Sequence, residues 1–166
     1  EIRYEGFGPE GVSIIVEALT DNKNRTASEV RTVFNKFNGN LGENGCVSYL
    51  FDKIGSIIYP SSSGEIDNFI EFSIENDTKD IIENADFYEI ITKLENFNEI
   101  TENFTEKFGH PESANIIWKA KDLVKVSENS ILTTYKLILG LDDCEDVQNV
   151  FYNFELDDKD LALIKQ

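Results

Sequence analysis

The 166-residue sequence has no methionine, one histidine, one tryptophan, three prolines and two cysteines, and it sets only 15 basic residues against 32 acidic ones. With His110 as the only imidazole, a Ser-His-Asp, Cys-His or zinc constellation has little to build on. His110 also stands beside Pro111, where a turn role is expected. No catalytic residue, metal site or cofactor is expected, and the chain reads as nonenzymatic. Cys46 and Cys144 fall short of the dense disulfide framework of small secreted domains, so two free thiols in a reducing compartment are expected. The longest apolar runs, such as Ile14-Ile15-Val16, are far below the roughly 20 residues that span a bilayer, and no membrane partner is expected. Because position 1 is Glu and no methionine occurs, the sequence is expected to be a piece of a longer protein, cytoplasmic unless an organellar transit segment precedes Glu1.

The shortage of positive charge has a second consequence. A net charge of -17 opposes direct binding to a phosphate backbone, which depends on Lys and Arg displacing condensed counterions. The imbalance is uneven: residues 1–53 hold six basic and eight acidic side chains, whereas the remainder holds nine basic and 24 acidic. Any polyanion contact belongs on the first segment, and the rest is a self-repelling, solvated surface. A hydrophobic fraction of 40% with 28% charged residues is ordinary for a folded protein.

The periodicities predict an α+β chain. Residues Ile2 to Gly6 and Val12 to Leu19 read as paired strands across the turn Gly8-Pro9-Glu10-Gly11. A helix follows from a capping box of Thr26 and Glu29, with Val30, Val33, Phe34 and Phe37 in register and Gly39 as its C-terminal cap. Cys46 to Phe51 reads as a returning strand. The pattern then starts afresh: a strand at Ile54–Tyr59, a helix capped by Ser62 and Glu65 with the stripe Ile66, Phe69, Ile70 and Ile74, and strands at 78–83 and 87–92. A helix bearing Leu94, Phe97, Phe104 and Phe108 and a strand at 114–120 with Trp118 in the core complete it. This β-α-β-β-α-β order is that of a ferredoxin-like unit. One further helix, with Leu132, Tyr135 and Leu139 and ending at Gly140, and a strand at 146–153 cannot close a core alone. The expected architecture is a discontinuous α/β sandwich domain, residues 1–52 plus 127–166, with an inserted ferredoxin-like domain at 53–126.

Three local motifs bear on chemistry. Gly6-Phe7-Gly8-Pro9-Glu10-Gly11 matches G-x-G-x-x-G, but the residues after it read as a strand, whereas a dinucleotide fingerprint opens a helix. A structural turn at Gly8, Pro9 and Gly11 is the expected role. Asp142-Asp143-Cys144-Glu145-Asp146 lacks the spacing of a calcium loop and reads as a solvated acidic loop. Asp21-Asn22-Lys23-Asn24-Arg25-Thr26 supports two readings equally: an Asx-rich turn with a cap, or an anion contact beside helix-start amides. On the second, Asn22, Lys23, Asn24 and Arg25 form a nucleic-acid or partner contact with Arg31 as auxiliary cation; on the first, Arg25 pairs with Glu29.

Tyr4-Glu5-Gly6-Phe7-Gly8-Pro9, Asp21 to Thr26, Glu29-Val30-Arg31, Gly39-Asn40-Leu41-Gly42, Asp146-Val147-Gln148 and Val150-Phe151-Tyr152-Asn153 together resemble the YebC/PmpR family in order and spacing. The resemblance implies a three-domain parent whose basic, helical N-terminal domain precedes Glu1. It also implies a transcriptional regulatory protein that binds DNA in its full-length form. Relatives tied to translation make ribosome or rRNA association and translational activation the alternative. Glu10, in place of the usual glycine, and Cys46, in place of a usual serine, depart from the family pattern. A small-ligand sensor is a third reading, from fold analogy alone.

Overall fold

The β-branched run Ile14-Ile15-Val16 favours an extended chain, and Ile2–Phe7 (β1) and Ser13–Ala18 (β2) form an antiparallel hairpin in which Tyr4 faces Val16 and Gly6 faces Ile14. In the computed structural model, which describes residues 1–164, this hairpin begins the first of two units. That unit joins Glu1–Asp52 to the segment from Lys119 onward, and Lys53–Trp118 forms the other. The last two positions of the expected discontinuous domain, 165 and 166, lie outside the described residues.

In the first unit, β1 also pairs with Asn40–Leu41 (β3), and β2 pairs antiparallel with Val147–Tyr152 (β8), giving the sheet order β3-β1-β2-β8. Tyr4, Ile14, Val16 and Ala18 form one core with Val30 and Phe34 of the helix Lys23–Lys36 (α1) and with Ile131, Leu137, Ile138 and Leu141 of the helix Glu128–Asp142 (α4). A short helix, Asp158–Ile164 (α5), follows β8; the sequence patterns did not point to it.

The second unit holds all but the first two residues of Phe51–Pro60 (β4), then Ile66–Glu75 (α2), Asp80–Glu83 (β5), Phe87–Thr92 (β6), Phe97–Phe108 (α3) and all but the last two residues of Ser113–Ala120 (β7). Its sheet order, β5-β6-β4-β7, places the two middle strands of the sequence on one side of the first and the last strand on the other, the arrangement of a ferredoxin-like split βαβ. The core is aromatic: Phe69 stacks on Phe108 with centroids 3.9 Å apart, and Tyr59 lies 5.3 Å from Phe69 while its hydroxyl donates to Gly109 O at 2.8 Å. The α+β class and both architectures match the sequence expectation.

Several local expectations are corrected. The boundary after the inserted unit falls at 118/119 rather than 126/127, because Lys121 N–H donates to Leu50 O (3.0 Å) and Val124 bridges Phe154. Thr26 is not the helix cap: α1 starts four residues earlier, after Asn22, whose Oδ1 accepts the Arg25 N–H at 3.1 Å. The left-handed residue after α1 is Asn38 (φ 61), and Gly39 is required instead by close approach, since a Cβ there would lie 2.7 Å from Phe7 O. Ser62 gives no side-chain cap to α2, in which Phe69 and Ser73 are buried while Ile70 and Ile74 are exposed. Gly140 lies inside α4, not at its end, and the buried face of that helix is Ile131, Thr134, Ile138 and Leu141 rather than Leu132 and Leu139. Trp118, placed in the core on sequence, is half-buried on β7 and carries Lys53 Nζ 5.5 Å from its ring centroid.

Gly8, Pro9 and Gly11 form the β1–β2 turn, with Gly8 N–H donating to Val12 O at 2.7 Å. Glu10 adopts a left-handed conformation (φ 57), which costs a side chain with a Cβ more than it costs glycine. A long-range contact offsets that strain: the Glu10 carboxylate accepts the Ser127 hydroxyl (2.6 Å) and N–H (3.0 Å), capping α4 from 117 residues away.

The missing strand at Cys46 to Phe51 has an electrostatic cause. Glu5 is fully buried on β1, and its carboxylate accepts the N–H groups of Gly45 (2.8 Å), Val47 (3.1 Å) and Ser48 (2.7 Å), with Arg3 Nε at 3.2 Å. Those amides are therefore unavailable to a sheet ladder, and the segment turns around the carboxylate. Burial alone would raise the Glu5 pKa; the three amides and Arg3 outweigh it and hold the value below normal. Because the folded pKa is the lower one, this stabilisation is present above the unfolded pKa and is lost as pH falls through the folded pKa. Glu5→Ala is expected to lower unfolding free energy by about 3 kcal/mol in urea titrations. It should also flatten the acid limb of the stability profile; an unchanged acid limb would assign that limb to other carboxylates.

Candidate nucleic-acid interface

The segment joining β2 to α1 is short and polar, and its shape is set by one carboxylate at the start of β8. Asp146 O accepts the Leu19 N–H at 2.9 Å, pinning the chain as it leaves β2. The Asp146 side chain then accepts the Thr26 hydroxyl at 2.7 Å and lies 3.3 Å from the Thr20 hydroxyl. Arg25 Nη2 reaches both of its oxygens, at 3.0 and 3.2 Å. Thr20 Oγ1 in turn accepts the Asn22 N–H at 2.9 Å, and Asn22 caps the helix. The Thr26 hydroxyl and then the Arg25 guanidinium hold the Asp146 carboxyl below its usual range, and Asp146 raises Arg25 reciprocally.

The polar residues singled out from sequence thus divide into two groups. Asn22 and Arg25 are committed to the local structure: the first is the cap, and the second pairs with Asp146 and, at 3.4 Å, with Asp21. The Arg25–Glu29 pairing considered on sequence is not formed; the ion pair at helical spacing runs back to Asp21 instead. Lys23, Asn24 and Arg31 are exposed, and their side chains make no hydrogen bond or ion pair among the described residues. Two cations and an amide are therefore displayed from the first two and a half turns of a helix whose start is fixed in place. Helix-start amides and their positive dipole end add to the attraction for an anion.

Asp146 is the residue that sequence reasoning missed. It belongs to a run that reads as solvated acid, yet its side chain is only 12% exposed and its partner Thr26 lies 120 residues away. The only signal was its place in the Asp146-Val147-Gln148 motif. His110 is exposed in the loop after α3, and both cysteines are free and half-buried. Among the described residues no cluster of His, Cys, Asp and Glu could hold a metal ion, and no helix is long and apolar enough to cross a membrane.

Fold and site together define an α+β protein with an inserted ferredoxin-like unit and a polar, helix-starting loop displayed from the discontinuous one. The family described as the TACO1/YebC second and third domain matches residues 1–154, and the chain belongs to that family. It is 42% identical over 168 residues to the "Probable transcriptional regulatory protein Mmar10_2433" of Maricaulis maris (strain MCS10), a match covering 98% of this chain and 66% of that protein. It is also similar to the crystal structure of a conserved hypothetical protein, Aq1575, from Aquifex aeolicus. That comparison gives a TM-score of 0.87 at 40% identity over 95% of this chain and 65% of the other. The chain therefore spans just under two thirds of the length of these relatives.

If Asp146 holds the loop, Asp146→Ala should speed amide exchange at residues 20–26 by about tenfold or more, leaving Ile57 and Ile90 in the inserted sheet unchanged. Equal protection in the variant and the parent protein would show that the loop is held by the Asn22 cap alone.

Proposed function

We propose that this chain is part of a nonenzymatic transcriptional regulatory protein that contacts DNA. The start of α1 supplies one of its contacts. The observation that carries the reading is the display of Lys23, Asn24 and Arg31, none of them engaged by a described residue, on the least acidic part of the sequence. The name of the Maricaulis relative supports the same class of function. Physically the contact is a positioning one: cations and an amide at a helix start bind phosphate and set orientation, and carry no base readout of their own. Arg25 contributes less, because a phosphate would have to displace Asp146 and Asp21 from it.

The net charge of -17 opposes approach to a polyanion, so the chain alone is expected to bind DNA weakly at physiological salt. In the full-length protein, Lys23→Ala and Arg31→Ala should weaken binding about equally across DNA sequences, each lowering the salt slope by about 1, without changing thermal stability. Arg25→Ala should weaken binding less and destabilise the start of α1. Filter binding at several salt concentrations checks this. A double Lys23→Ala, Arg31→Ala variant that binds normally removes the loop from the interface. Retention of ribosomes or rRNA in place of duplex DNA, lost in the same variants, would move the function to translational control through the same residues.

A further inference from the structure

Helices α1 and α4 lie side by side in the first unit and leave a groove of about 470 Å³ between them. Its floor is apolar: Val33 of α1 meets Gly140 and Cys144. Gly140 makes that close approach possible, since a Cβ there would stand 2.9 Å from Val33 Cγ1. Around this floor stand three exposed carboxylates, Glu29, Asp143 and Glu145. None of them accepts a hydrogen bond or forms an ion pair among the described residues. In this they differ from neighbouring Asp146, whose charge is taken up by Thr26 and Arg25.

A largely apolar floor ringed by exposed carboxylates suits a cation carried on an apolar stem, which is the shape of an arginine or lysine side chain. The ring repels nucleic acid. One turn before Asp143 on the same face of α4, Leu139 is 44% exposed, and Leu132, two turns further back, is 43% exposed. A ligand seated over Asp143 thus meets leucine beside it. The Cys144 thiol on the floor feels the same field: burial first, then Glu29, Asp143 and Asp146, push its pKa up.

We propose that the α1–α4 groove is a docking site for a basic, amphipathic segment of a protein partner, with an arginine or lysine stem on Val33 and Cys144 and its charge among Glu29, Asp143 and Glu145. This surface is separate from the Lys23–Arg31 contact and does not depend on DNA binding.

Cys144 provides a direct readout, with Cys46 as the control thiol outside the groove. The full-length protein is labelled with iodoacetamide and each cysteine is followed by mass spectrometry. The labelling is done with and without an acetylated, amidated peptide of alternating leucine and arginine at physiological salt. The peptide is expected to protect Cys144 and leave Cys46 unchanged, while a leucine–glutamine peptide of equal length protects neither. In the Glu29→Gln, Asp143→Asn, Glu145→Gln triple variant the peptide concentration needed for protection should rise about tenfold, the worth of three exposed ion pairs. The inserted unit, with 14 acidic residues against four basic ones, offers a competing nonspecific surface, and the triple variant separates the two. Absence of Cys144 protection, equal protection by the glutamine peptide, or unchanged protection in the triple variant would each overturn the proposal.

Discussion

The pairing of β2 with β8 joins segments more than a hundred residues apart, and the rest of the first unit depends on it. Both ends of the strand pair are clamped from the β8 side, by side chains and by one backbone carbonyl. At one end Asn153 Oδ1 accepts the Ser13 N–H at 2.8 Å, a contact spanning 140 residues. At the other, Asp146 gathers Leu19, Thr20, Arg25 and Thr26. Closing such a loop costs conformational entropy, but that cost grows only logarithmically with length, so a whole folded unit can sit within it. The contacts that close it also fix the start of α1 and therefore the direction in which Lys23, Asn24 and Arg31 are displayed.

Charge is arranged in the same economical way. Glu5, Glu10 and Asp146, three of the 32 acidic residues, serve as long-range acceptors that organise backbone: Glu5 gathers the 45–48 amides, Glu10 caps α4, and Asp146 holds the β2–α1 link. Glu10 in a left-handed turn is thus intelligible, because a side chain that costs something there is also the acceptor for Ser127. Cations near α1 are likewise split between those that hold structure and those left exposed. Net charge by itself gives no hint of this division.

Much of the architecture can be read from sequence because hydrophobic period and turn residues agree locally, as at β6, which spans Phe87–Thr92 as expected. Errors arise where two local readings compete. In α4, Leu132 and Leu139 share the seven-residue spacing of Ile131 and Ile138, and only packing against β2 and α1 decides which pair is buried. In the 21–26 run, Asn22 and Thr26 are both good caps, and Asp146 recruits Thr26 into the first turn. The 46–51 segment has strand-forming residues, but a carboxylate some forty residues away takes its amides. Lys23, Asn24 and Arg31 could be picked out from composition; their fixed geometry could not, because it rests on a residue 120 positions distant.

The nucleic-acid contact proposed at the start of α1 lies on the part of the chain least burdened by acid. Ultraviolet crosslinking of the full-length protein to its nucleic acid in cells, with mass spectrometry of the attached peptides, tests it most directly. Within residues 1–164, crosslinked peptides are expected to contain Lys23, Asn24 or Arg31. Crosslinks confined to the acidic inserted unit at 53–118 would contradict it.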